Sequence, residues 1–220
     1  MRQIVLDTET TGLDIANDHR IIEIACVEII NRKLTNNTYQ TYLNPERQVG
    51  SSFKIHGLSD DFLSDKPAFK TIYQEFLDFI KDSELLIHNA EFDIGHLNNE
   101  LSLINREKIS KVNVIDTLEI ARNKFPGSSI SLDALCKRFK IDNSRRIKHT
   151  ALIDCDLLSK VYINLIDQRE PIFQFKKELD NNELSLENSE SYSKKIIKPS
   201  NEEFEQHKKF IKDNFKRNFF

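Results

Sequence analysis

No apolar run in the 220 residues reaches the roughly 18 that a membrane helix needs. Nor is there a basic-then-apolar leader, since the N-terminus runs directly into Ile4-Val5-Leu6. No membrane partner is expected, and the expected location is cytoplasmic. Cysteine is scarce. Cys26, Cys136 and Cys155 sit inside apolar segments and form no C-x-x-C pair, which argues against a disulfide framework or a zinc site and for small core residues. Excess charge of one sign is also missing. With 32 basic against 35 acidic residues the net charge is −3, too little positive charge for a protein that coats nucleic acid. Any nucleic-acid contact must then be local, or bridged by metal. There is no internal repeat.

What is present suits a globular protein: 39% hydrophobic and 30% charged residues, with length for one domain and an appendage. Gln3 to Leu6 reads as a strand buried on both faces, stopping at Thr10-Thr11-Gly12. Arg20 to Ile30 and Lys33 to Leu43 read as an antiparallel hairpin joined at Asn31-Arg32. The period then becomes helical at Phe69, Ile72, Tyr73, Phe76, Leu77 and Ile80, before a brief strand at Glu84 to Ile87. A helix from near Glu91 past Ile104 and a strand at Val112 to Ile115 come next. Helices follow at Leu118 to Lys124, Ser131 to Phe139 and Thr150 to Ile166, with a break at Pro126-Gly127. Three strands in a row and then alternating strands and helices predict an α/β fold, a mixed five-stranded sheet with helices on its faces.

Acidic residues occupy positions where the pattern calls for apolar ones. Asp7 and Glu9 continue the strand Ile4-Val5-Leu6 and point to one face, about 6.6 Å apart along the chain. Asp93 begins the helical stripe Asp93, Leu97, Leu101, Ile104, and Asp154 shares a side with Ala151, Leu158 and Val161. Each has an ordinary reading, as a turn cap or a helix-dipole partner. A carboxylate taken from water unpaired costs several kcal/mol, however, so four of them ask for donors, cations or metal. No Lys or Arg accompanies Asp7, Glu9 or Asp93 nearby in sequence, and hard oxygen ligands suit Mg²⁺ or Mn²⁺. Two such ions about 4 Å apart would clamp the attacking and leaving oxygens of a phosphodiester. His149, five residues before Asp154, reads either as a structural or solvated histidine or as a general base at a helix start.

Asp7-Thr8-Glu9-Thr10-Thr11-Gly12, His88-Asn89-Ala90-Glu91-Phe92-Asp93 and His149 followed by Asp154 together resemble the three motifs of the DEDDh exonucleases. From about Gln3 to Ile166 the chain more closely resembles the proofreading epsilon subunits of bacterial DNA polymerase III. That likeness runs through Arg20-Ile21-Ile22-Glu23-Ile24, Ile55-His56-Gly57-Leu58, Phe125-Pro126-Gly127 and Ser131-Leu132-Asp133-Ala134-Leu135-Cys136. The resemblance implies a ribonuclease-H-like fold and 3′–5′ removal of nucleotides from a DNA end. It further implies Asp7, Glu9, Asp93 and Asp154 as ligands of two divalent ions, with His149 as base. Gly12, Leu13, Ile55, His56 and His88 would line the pocket for the terminal nucleotide.

The chain is expected to divide into an exonuclease domain over 1–167, a flexible linker over 168–200, rich in Asn, Ser, Glu and Lys without a sustained apolar period from about Lys176, and a polymerase-docking segment over 201–220. The last, amphipathic through Phe204, Phe210, Ile211, Phe215, Phe219 and Phe220 among lysines, would tether the chain to the polymerase catalytic subunit. Gln168, Ile172 and Phe173 look like a short motif for a sliding clamp, although Pro171 departs from its pattern; packing of Ile172 and Phe173 back on the domain is the competing expectation. Two rival functions stand beside this reading: trimming of RNA or short oligonucleotides by the same residues, and a mainly structural link between polymerase and clamp.

Overall fold

A computed structural model describes residues 1–146, 148–166 and 199–214. β1 (Arg2–Thr10) is rich in β-branched residues and lies at the centre of a five-stranded sheet. Along it Ile4 and Leu6 pack into one apolar cluster and Val5 into another, as the two-residue period of a strand covered on both faces requires. The strand continues through Asp7 and Glu9, beyond the apolar run that marks it in the sequence. β2 (Ile21–Ile30) and β3 (Lys33–Tyr42) form the predicted hairpin, with Asn31 and Arg32 at positive φ in its turn.

Two short helices, α1 (Phe53–His56) and α2 (Asp60–Ser64), follow. They escape sequence reading because four or five residues show no period; the nearest signal is Ser59, whose hydroxyl caps α2 at Phe62. α3 (Phe69–Ile80) buries Phe69, Ile72, Phe76 and Ile80. β4 (Glu84–Ile87) then leads into α4 (Ala90–Leu103), which ends at Leu103 rather than continuing past Ile104. β5 (Val114–Asp116), α5 (Thr117–Lys124), α6 (Leu132–Phe139) and α7 (Ala151–Ile166) complete the core.

Sheet order is β3-β2-β1-β4-β5; the first three strands are antiparallel, while β1, β4 and β5 are parallel. α3 and α4 cover one face, α5 to α7 the other. Cys26, Cys136 and Cys155 are free and buried in these clusters. β1 pairs with β4 only over Gln3 to Val5, so its last residues have an unpaired edge. That edge, at the carboxyl ends of parallel strands, is where open α/β sheets form their crevices.

The described residues fall into two units. The second contains α8 (Asn201–Asn214), opened by a reciprocal cap: Glu203 N–H donates to the Ser200 hydroxyl and Ser200 N–H to the Glu203 carboxylate. Phe204 and Phe210 are exposed on it. The stretch 168–200 expected as a linker, apart from residues 199–200, and with it Gln168, Ile172 and Phe173, expected as a clamp motif, lies outside the described residues, as do Phe215, Phe219 and Phe220. Among the described residues no helix is long and apolar enough to cross a membrane.

Candidate active site

The unpaired edge of β1 brings the carboxylates together. Asp7 and Glu9 leave the strand on the side of α7, where Asp154 occupies the buried face of the first turn. Asp93 arrives from α4 on the other side, and its Oδ1 accepts from the Thr8 N–H at 3.0 Å and the Thr8 hydroxyl at 2.6 Å. The start of α4 is fixed in turn by Asp116, which accepts from Asn89 N–H at 3.0 Å, Ala90 N–H at 3.2 Å and Leu118 N–H at 2.9 Å. One carboxylate thus caps two helices. Carboxyl or imidazole atoms of Glu9, His149 and Asp154 lie within 4.8 Å of one another, a separation at which one cation can bridge them.

The electrostatics agree with a cation site. Burial pushes Asp7 well above the usual carboxylate range, and the charges of Asp93, Asp154, Glu9 and Glu23 push it further. Burial likewise raises Glu9 to about 8, with repulsion from Asp154, Glu23 and Asp93 outweighing the pull of Arg146. Asp93 is raised to about 7 by burial, against the hydrogen bonds from Thr8. Among the described residues no ion pair holds Asp7, Glu9 or Asp93, so the one cation paired with Asp154, Arg146, offsets only part of the negative charge. Hard oxygen donors converging with Arg146 on Asp154 as their one ion-paired cation among the described residues fit divalent ions.

Beside Glu9 opens a cleft of about 530 Å³ lined by Gly12, Leu13, His19, Ile55, His56 and Phe92 among others, a volume typical of small-molecule sites. Leu13 is 81% and Ile55 53% exposed, apolar surface well suited to a base or sugar. At Gly12 a Cβ would run into the His19 ring, so only glycine lets the chain lie against that imidazole. His56 forms a buried wall: Nδ1 accepts from Leu58 N–H at 3.0 Å and Nε2 is 3.1 Å from the Ser52 hydroxyl. The His149 N–H donates to the Ile55 carbonyl at 3.3 Å, tying the loop before α7 to the cleft.

His88 stands apart from this cleft. Its ring nitrogens contact the Thr117 hydroxyl at 3.0 Å and the Ile130 carbonyl at 3.1 Å, and both are engaged inside the protein. Expected at the nucleotide pocket, His88 is outside this cleft's lining and braces β4, α5 and the loop before α6.

Two residues carry weight that their sequence positions did not reveal. Arg146 forks onto Asp154, Nε to Oδ1 at 2.6 Å and Nη2 to Oδ2 at 2.7 Å, and Nη2 also reaches His149 Nδ1 at 2.8 Å. Glu23 faces Glu9 across β1 and β2 and is fully buried. It accepts from Gln40 at 2.8 Å and from the Ala151 N–H at 3.2 Å, docking the first turn of α7 on the sheet. A signal for Glu23 exists in the sequence, an acid interrupting Ile21-Ile22 and Ile24; none exists for Arg146 in a charged loop.

The family model described as Exonuclease matches residues 4–162. The DNA polymerase III subunit epsilon of Rickettsia felis is 48% identical over 219 residues, 96% of this chain and 96% of that protein. The chain belongs to the exonuclease family, among its epsilon subunits. As a member it is a 3′–5′ exonuclease, of a family that uses divalent metal ions. The epsilon subunit of Salmonella typhimurium is 51% identical over 171 residues, 74% of this chain and 70% of that one. In fold, the exonuclease resembles the nuclease domain of 3′hExo, a DEDDh family member bound to rAMP, with a TM-score of 0.66 and 20% identity over 75% of this chain and 91% of that one. Exonuclease X in complex with 5′-overhanging duplex DNA aligns at a TM-score of 0.58 with 27% identity, covering 74% and 90%.

Proposed function

We propose that this exonuclease proofreads DNA synthesis, removing nucleotides singly from a 3′ end and releasing nucleoside 5′-monophosphates, with two Mg²⁺ or Mn²⁺ ions held by Asp7, Glu9, Asp93 and Asp154. The observation that carries the reading is the mutual repulsion of four carboxylates from β1, α4 and α7, Asp7 feeling Asp93, Asp154 and Glu9, with Glu9 at the edge of a nucleotide-sized cleft. Bound there, the divalent ions would neutralise the phosphate and the charge that develops on its oxygens. The chain's own groups do the rest. Leu13 and Ile55 grip the terminal nucleoside by apolar contact, while Gly12 lets the His19 ring pack against the chain at the cleft and His56 forms its buried wall. His149, its side chain 45% exposed and its backbone N–H bonded to the cleft residue Ile55, takes the proton from the attacking water as general base.

The tail helix α8 would dock on the polymerase catalytic subunit through its exposed phenylalanines, and Gln168, Ile172 and Phe173 would bind a sliding clamp. A cytoplasmic location suits that work. The decisive experiment gives the isolated chain single-stranded DNA and RNA of one sequence with Mg²⁺. Release of deoxynucleoside monophosphates from DNA is expected. Faster release from RNA would replace the reading with RNA trimming, and no hydrolysis of either would leave a structural linker.

A further inference from the structure

Arg146 holds a place that a cation at Asp154 must contest. Its guanidinium takes both oxygens of Asp154 at 2.6 and 2.7 Å, with side-chain exposures of only 9% and 6%. Such forked, charge-assisted pairs are among the stronger polar contacts in proteins. A third nitrogen, Nη1, rests on Asp133 Oδ2 at 2.6 Å, and Asp133 is half exposed. Nη2 also donates to His149 Nδ1 at 2.8 Å. A guanidinium has no acceptor, so Nδ1 offers its lone pair, and a neutral ring has only one. While this contact stands, His149 has no free lone pair for a water.

We propose that Arg146 is a built-in competitor of the divalent ion at Asp154, and that cation binding and release of the His149 lone pair are one event. The inference rests on the reading of Asp154 as a metal ligand. A divalent ion on Asp154 repels the guanidinium at contact distance, and Asp133 gives Arg146 a second anchor to retreat to. Arg146 is therefore a positioning residue that sets ion affinity at Asp154 and keeps the base occupied until the ion arrives.

The test is calorimetric titration of Mn²⁺ into the full chain, with melting temperatures in chelator and in Mn²⁺. Arg146→Gln, which removes the charge, is expected to bind the ion at Asp154 about tenfold tighter, because a neighbouring positive charge is gone. Its melting temperature should fall in chelator, where Asp154 loses its partner, and rise further than the wild type's on adding Mn²⁺. Arg146→Lys keeps the charge without the fork and should fall between the two, and it decides the question if the glutamine variant does not fold. Affinity in these variants equal to or weaker than wild type would overturn the competitor role while leaving the metal site standing. Absence of Mn²⁺ binding by the wild-type chain would overturn both that role and the metal reading beneath it.

Discussion

Asp93 accepts the backbone N–H and the hydroxyl of Thr8 through one oxygen, at 3.0 and 2.6 Å, at the point where β4 no longer pairs with β1. A buried strand N–H must find an acceptor, and here the acceptor is a carboxylate of the site. The gap in the sheet and the position of Asp93 are therefore one feature, and the other carboxylates can be separated from it by mutation.

Asp7→Ala, Glu9→Ala, Asp93→Ala and Asp154→Ala should each remove most nucleotide release at saturating Mg²⁺. Their melting temperatures in chelator should diverge. Asp7→Ala and Glu9→Ala relieve repulsion and should match or exceed wild type. Asp93→Ala strands the Thr8 N–H, and Asp154→Ala leaves Arg146 buried with less counter-charge, so both should melt lower. Near-normal activity in any one variant would remove that residue from the metal site.

The raised carboxylates give a pH signature. Asp93, at about 7, and Glu9, at about 8, hold protons more tightly in the fold than in the unfolded chain, where such groups titrate at about 4. The folded state then binds more protons between these limits, so stability in chelator should fall as pH rises from about 4 through about 8. Saturating Mn²⁺ should flatten or reverse that slope. Melting curves across this range, showing no decline in chelator, would contradict the carboxylate cluster as described.

His149→Ala should lower kcat by about 10²-fold or more, the usual contribution of a general base. Mn²⁺ binding by calorimetry should persist. Turnover within a few-fold of wild type would exclude His149 from proton transfer.

Glu23 offers a contrast between charge and hydrogen bonding. Glu23→Gln removes a charge facing Glu9 yet keeps an acceptor for Ala151, and should leave stability unchanged or higher. Glu23→Ala strands the buried Ala151 N–H at the start of α7 and should cost about 1–3 kcal/mol in urea unfolding. Equal stabilities for the two variants would show that Glu23 does not hold α7 in place.

Binding of purified clamp should weaken in the Gln168→Ala, Phe173→Ala double variant. The contact is short, so weak binding suffices when a shared assembly raises the effective concentration. Titrations with identical affinity for both chains, or no binding by either up to about millimolar concentration, would reject the motif.

The strand and helix order, and the four acids, were legible in the chain itself because their signals are local. Periods of 2 and 3.6 mark the elements, and an acid at an apolar position of either period stands out wherever it lies. The short helices Phe53–His56 and Asp60–Ser64 left no such mark, being below the length at which a period exists. Partnership was decided only by the tertiary structure. His56 and His88 read alike as pocket residues, yet one lines the cleft and the other braces two elements. Glu23 faces Glu9 through strand register, and Arg146 reaches Asp154 and His149 from a loop whose path no period constrains. Proximity between residues far apart in sequence is set by how the sheet and helices pack, and a linear pattern contains no term for it.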